Sequence, residues 1–155
     1  MLNVDGVALG EFPLTSERPS VVLDTNVVLD WLLFNDPSVA KLAAAVVGGR
    51  VRWLATAAMR DELTHVLGRG LAATHGADPA ALVATWGRHC IEHPTAPLAA
   101  AHLRCTDTDD QKFIDLALAT GAGWLISRDR AVLKLRRRAA PYGLTISPPD
   151  QWRLE

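Results

Sequence analysis

Four acidic residues fall where a chain of alternating strands and helices concentrates its chemistry. Asp24 ends the apolar run Val21-Val22-Leu23, Asp129 follows Trp124 to Ser127, Asp110 opens a helical stripe, and Glu62 lies on another helix. An Asp at a helix start is by itself only an N-cap, so direction has to decide. At about 100° per residue with Met59 at zero, Leu63, Val66 and Leu67 fall between about −20° and 80° and Glu62 at about −60°, flanking the apolar face. Asp61, at about 200°, points to water. Counted from Phe113, Asp110 falls near 60°, in the middle of the stripe of Phe113, Ile114, Ala117 and Leu118, whereas Asp115, at about 200°, reads as a solvated helix charge. Asp107 and Asp109 stay open between cap, loop and supporting groups. Ionised carboxylates aimed at one crevice repel unless a cation lies between them. An all-oxygen set with neither Cys nor paired His suits Mg²⁺ or Mn²⁺ rather than zinc. Such ions, one or two, serve phosphodiester hydrolysis with no side-chain nucleophile. Two of them would bring the four carboxylates to zero formal charge and stop the site repelling an anion.

The elements that must position these groups follow from punctuation and period. Val21 to Leu23 predicts a buried strand handing over at Asp24-Thr25-Asn26 to a helix with Val27, Val28, Trp31 and Leu32. Asp36-Pro37 and Asp78-Pro79 each predict an N-cap with Pro in the first turn, the first helix stopping at Gly48-Gly49 and the second running to about Glu92. Val51 to Ala55 is the second strand, and Thr56 caps a helix to about Leu67 that Gly68 and Gly70 end. Thr108 and Gln111 have capping-box spacing. Trp124 to Ser127 and Leu144 to Ile146 are the later strands, with one basic helix between them from about Asp129 to Arg138. Strand signal between Pro94 and Leu103 is weak, which leaves the sheet order at that edge open. Short apolar strands alternating with helices predict a single-domain α/β fold, a three-layer α/β/α sandwich around a mainly parallel sheet. Residues 1-20 read as an N-terminal extension and residues 21-155 as the domain.

Length and charge narrow the class further. The chain has 155 residues, 49% apolar and 21% charged, which excludes two large domains. Sixteen Lys and Arg oppose 17 Asp and Glu, so binding to nucleic acid must be local rather than a property of the whole surface. Cys90 and Cys105 form no C-x-x-C pair, Met1 to Glu17 lacks a positive n-region, and Val21 to Phe34 is cut by Asp24 and Asp30. The expectation is a cytoplasmic protein with no membrane partner. His89 and His93 have i, i+4 spacing, but Pro94 ends the helix there, so a paired metal site is not expected. The five tryptophans lie mostly inside apolar runs and read as core.

In this order the residues resemble the PIN-domain nucleases. Asp24-Thr25-Asn26-Val27 is similar to that family's opening motif, and Glu62 in Thr56-x5-Glu62-Leu63 to its second acid. The segment Asp110-x2-Phe113-Ile114-x2-Ala117-x3-Gly121-Ala122-x2-Leu125-Ile126-Ser127-Arg128-Asp129 is similar to the one carrying the third and fourth acids. The run Thr106 to Asp110 looks most like the toxin branch, relatives of VapC-type toxins. The resemblance covers Val21 to Pro149 and leaves the N-terminal extension unexplained. It implies Mg²⁺ or Mn²⁺ bound by Asp24, Glu62, Asp110 and Asp129, with Asn26 and Ser127 close by as hydrogen-bonding groups. It also implies RNA as substrate, cleavage to 5'-phosphate and 3'-hydroxyl ends, a cognate antitoxin protein and a homodimer.

One charge cluster stands out in a balanced chain. Arg128, Arg130, Lys134, Arg136, Arg137 and Arg138 put six positive charges within eleven residues, either as a solvated basic face or as an RNA-binding track. As one helix of ten residues it would span about 15 Å. A rival of another class is a PIN-like module that binds RNA or protein without cutting, whose usual mark is loss of an acid, and all four are present. A phosphatase with an aspartyl nucleophile needs a second Asp two positions after the first, where this chain has Asn26.

Overall fold

A computed structural model describes residues 18–94, 97–100 and 102–154. The first 17 residues of the expected extension therefore lie outside the described residues. Five strands, β1 (Ser20–Leu23), β2 (Arg52–Ala55), β3 (Cys90–Glu92), β4 (Trp124–Ile126) and β5 (Thr145–Ser147), form one all-parallel sheet in the order β3-β2-β1-β4-β5. Val22 stands opposite both Leu54 and Leu125, so β1 is the central strand. All four of its residues are buried, as they must be when helices cover both faces of a parallel sheet. The fold is the expected α/β sandwich. The chain winds outward from β1 to β3, then returns to β4 on the other side of β1. That reversal is the topological switch point, and its crevice lies outside the carboxyl ends of β1 and β4.

The helices are α1 (Thr25–Leu32), α2 (Ala40–Val47), α3 (Ala57–Val66), α4 (Ala72–Thr74), α5 (Pro79–His89), α6 (Gln111–Thr120), α7 (Arg130–Leu133) and α8 (Arg136–Ala139). Among the described residues no helix is long and apolar enough to cross a membrane. Asp24, Thr56 and Asp78 cap α1, α3 and α5 through their side-chain oxygens, each satisfying an otherwise orphaned first-turn N–H. Asp36 likewise caps the short 3₁₀ turn that leads into α2. The core is continuous and aromatic on one side. The Trp31 and Trp53 rings are 5.3 Å apart, and Trp86 meets Trp53 edge-on at 5.9 Å.

Four local expectations are corrected. Helix α5 ends at His89 rather than about Glu92, because Cys90–Glu92 turns extended and pairs with β2, Ile91 opposite Leu54. Cross-strand pairing there outweighs helical continuation. By contrast, α3 stops close to the expected Leu67: Arg69 and Gly70 leave helical dihedrals, Gly70 with a φ of 95°, before the short α4 begins. The single basic helix is two four-residue pieces, broken where Leu135 turns inward and is buried.

The other two corrections concern α6. The capping box does not form: Asp107 caps the 3₁₀ turn Thr108–Asp110, and Gln111 turns into the protein. Its Oε1 accepts from the Cys105 N–H at 2.6 Å, and its Nε2 donates to the Leu103 carbonyl at 3.0 Å and to Asp115 Oδ1 at 2.8 Å. Asp115 is accordingly half-buried rather than solvated, and its Oδ1 also accepts from the Ala100 N–H at 2.8 Å. The helical angle alone misses that Ala100 and Gln111 meet this side chain.

Candidate metal centre

Asp24 sits where β1 ends and α1 begins, and its backbone N–H still bonds to the Ile126 carbonyl across the sheet at 3.1 Å. Its side chain is 3% exposed and bonded at both oxygens. Oδ1 accepts from the Val27 N–H at 3.0 Å, and Oδ2 accepts from the Ser127 hydroxyl. Burial raises its pKa above the ordinary carboxylate value; the hydrogen bonds from Ser127 and Val27 oppose this, and the charge of Asp129 reinforces it. Ser127 is wholly buried and holds two acids at once, since its Oγ also accepts the Asp129 N–H at 3.0 Å. Asp129 in turn caps α7 through the Ala131 N–H at 2.8 Å.

Asp110 arrives from the other direction, at the end of the 3₁₀ turn before α6. Its Oδ2 is buried with no hydrogen-bond partner. Oxygens of Asp107, Asp110 and Asp129 all lie within 4.8 Å of one another. The Asp110 carboxyl is pushed up to about 7, first by burial, then by a hydrogen bond to Asp129 that only the protonated acid can make, and by the charges of Asp129, Asp107 and Asp24. No Lys or Arg ion pair reaches these four aspartates among the described residues. Orphaned, mutually repelling carboxylate oxygens at a switch point match what a hard divalent cation needs from its ligands. The residues present therefore fit such an ion.

The other candidates fall as follows. Glu62 is half-buried on α3 while Asp61 is exposed, but its carboxylate stands apart from the three converging aspartates. Lys112 Nζ lies 2.7 Å from Glu62 Oε1 and also donates to the Asp109 carbonyl, with the Phe113 ring 4.9 Å away. Asn26 is exposed and brings its backbone N–H, not its side chain, to Asp24. Asp107 is the group whose role sequence reasoning left open. Its signal was the acid run before α6, where capping and metal-facing roles are indistinguishable and, as placed, coexist.

The six basic residues divide. Arg128 is committed internally: Nε donates to Asp30 Oδ2 at 2.8 Å, Nη2 donates to the Ser38 hydroxyl, and Nη2 lies 3.6 Å from Asp36 Oδ2. Sitting between Ser127 and Asp129, it ties the loop that carries them to the corner between α1 and α2. Arg136 donates to Gln151 Oε1 at 3.2 Å. With Arg137 it borders a cavity of about 330 Å³ over Trp124, Leu144 and Ile146, along the outer strand. Arg130, Lys134, Arg137 and Arg138 are exposed, with no side-chain bond among the described residues. Neither thiol joins the site, and burial pushes Cys90 up to about 12, with the Glu92 charge adding to it.

No curated protein matches the chain. A family model described as PIN domain matches residues 20–131, from the first residue of β1 into α7. The match takes in Asp24, Glu62, Asp110 and Asp129 and the whole switch-point crevice. With well over half of its length matched, the chain belongs to the PIN-domain family.

Proposed function

We propose that the chain is a Mg²⁺- or Mn²⁺-dependent endoribonuclease, cutting RNA to 5'-phosphate and 3'-hydroxyl ends, and that it is the toxin of a toxin-antitoxin pair. The observation that carries the metal-dependent reading is Asp110 Oδ2, buried and unpartnered beside oxygens of Asp107 and Asp129. Asp107, Asp110 and Asp129 would hold the ion, with Asp24 adding its charge behind Asp129. Glu62 would join them by releasing Lys112. When bound, the ion supplies Lewis-acid charge at the phosphoryl group and acidifies the attacking water.

The chain's own residues keep this crevice rigid. Val27 N–H and Ser127 Oγ fix both oxygens of Asp24, and Ser127 also fixes the backbone of Asp129. The site therefore needs little rearrangement to receive a phosphodiester. Arg130, Lys134, Arg137 and Arg138 offer free charges to the RNA backbone, while Arg128 and Arg136 serve mainly internal bonds. An antitoxin would inhibit by setting a basic side chain among the acids. A cytoplasmic homodimer is the expected working form.

Cleavage of RNA in Mg²⁺ by the wild type, beside Asp24→Asn and an EDTA control, tests the reading. Activity is expected in the wild type alone. RNA that is bound but left intact by the wild type would overturn the enzymatic reading in favour of a binding module. Growth arrest on induced expression of the wild type but not of Asp24→Asn tests the toxin role.

A further inference from the structure

A second cavity of about 370 Å³ is bounded by α3, the turn after it and the start of α6, the helix that Asp110 precedes. Its volume falls within the range of about 300–1,000 Å³ usual for small-ligand sites. Asp109, the chain neighbour of Asp110, lines it together with the Glu62–Lys112 pair. Arg69, from the turn after α3, lines it too, with Ala58 and His65 of α3 itself. The charges are unevenly committed. Lys112 neutralises Glu62 at 2.7 Å, whereas the Arg69 guanidinium has no hydrogen bond or ion pair among the described residues. The cavity thus brings together Asp109, next to Asp110 in the chain, and a free arginine.

We infer that this cavity seats the nucleotide next to the scissile phosphate, with Arg69 binding that nucleotide's own phosphate. The inference rests on the ribonuclease reading and names the side of the site along which the strand leaves. A phosphodiester strand crossing the acids brings a next negative charge that a nearby cation can meet, and Arg69 is an uncommitted guanidinium in a cavity that Glu62 and Asp109 also line. Guanidinium forks suit phosphate oxygens. The apolar wall at Ala58 gives the base or ribose a surface without demanding a particular base. Arg136 and Arg137 border a different groove, along the outer strand from Leu144 to Ser147 and over Trp124.

The test measures binding of a short single-stranded RNA to Asp24→Asn protein over a range of salt concentrations, with and without Arg69→Ala. Affinity should fall roughly three- to tenfold, as fits one partly exposed charge-assisted contact. The slope of log affinity against log salt should flatten by about 0.7, one phosphate's worth on a single strand. Arg69→Lys should recover part of the affinity, and Mn²⁺ affinity should stay at the parent value in both variants. In the active background the loss should appear in KM and not in kcat. Unchanged RNA affinity and salt slope in Arg69→Ala would overturn the inference, as would a parallel loss of Mn²⁺ binding, which would mark Arg69 as structural. A parent that binds no RNA at any salt would instead overturn the nuclease reading beneath it.

Discussion

The carboxyl edge of the sheet and the basic segment 128–138 adjoin in sequence, yet they are built on opposite terms. At the edge, each aspartate is placed by backbone: Asp24 and Asp129 cap helices directly after β1 and β4, and Ser127 bonds to both. In the segment, Arg130, Lys134, Arg137 and Arg138 extend into solvent from two four-residue helices. Groups fixed by secondary-structure ends are held to fractions of an ångström, which metal chemistry requires. Long exposed side chains are held by nothing, which suffices for contacts to a uniform phosphate backbone. Arg128 is the exception, a segment residue recruited by the edge.

The sharpest break in this contrast comes from the edge itself. Asp110→Asn or Asp129→Asn should each lower cleavage at least about 10³-fold, since a charge facing the ion is worth several kcal/mol and each 1.36 kcal/mol is tenfold. Circular dichroism and melting should stay close to wild type, because side-chain shape is kept. Equal losses from Arg137→Ala at saturating RNA would erase the distinction between the two regions.

A smaller effect tests the exception. Arg128→Ala should weaken Mn²⁺ binding about tenfold, the lower end of what removing a support behind metal ligands costs, while Arg137→Ala leaves it unchanged. Isothermal titration of both variants decides the point, and equal affinities would return Arg128 to the segment's solvent-facing class.

The smallest effect is on stability. Asp24 and Asp110 both have raised pKa values in the ion-free protein, so the folded form binds more protons than the unfolded one above the ordinary carboxylate value of 3.8. Stability from these groups is present below that value and is lost as pH rises through about 7 for Asp110. In EDTA the melting temperature should therefore fall between pH 5 and about pH 7.5 from this source. Saturating Mg²⁺ should reverse the fall, because a ligand that binds only the folded state stabilises it. Variants of the basic segment should show the same pH profile as wild type.

Much of the edge is legible in the sequence because its signals are local. A strand ending in Asp-Thr-Asn, a helix stripe with Asp110 in its apolar sector and a strand followed by Ser-Arg-Asp each report on their own segment. The remainder depends on neighbours far along the chain. Arg128 reads as one more charge in a basic run until Asp30, Asp36 and Ser38 are brought beside it. Gln111 and Asp115 read as a cap and a surface charge until Ala100, Leu103 and Cys105 are brought beside them. Glu62 is oriented correctly by helical angle, but no periodicity reveals that Lys112 reaches it first. The short strand Cys90–Glu92 lacks a pattern of its own and exists through its pairing with β2.

The aromatic side of the core gives the molecule an optical asymmetry. Trp31, Trp53 and Trp86 stand within 6 Å of their nearest partners, close enough to share excitation and to produce a strong near-ultraviolet dichroic band. All three belong to the half of the sheet on the β2 side of the centre, whereas Trp124 lies on β4, at the basic groove. The coupled band thus reports whether the β2 half is intact, and in a Trp152→Phe variant the remaining tryptophan outside that cluster, Trp124, reports quenching or shielding on the other half. One untagged sample can therefore tell local events at the groove from loosening of the core as nucleotides or ions are added.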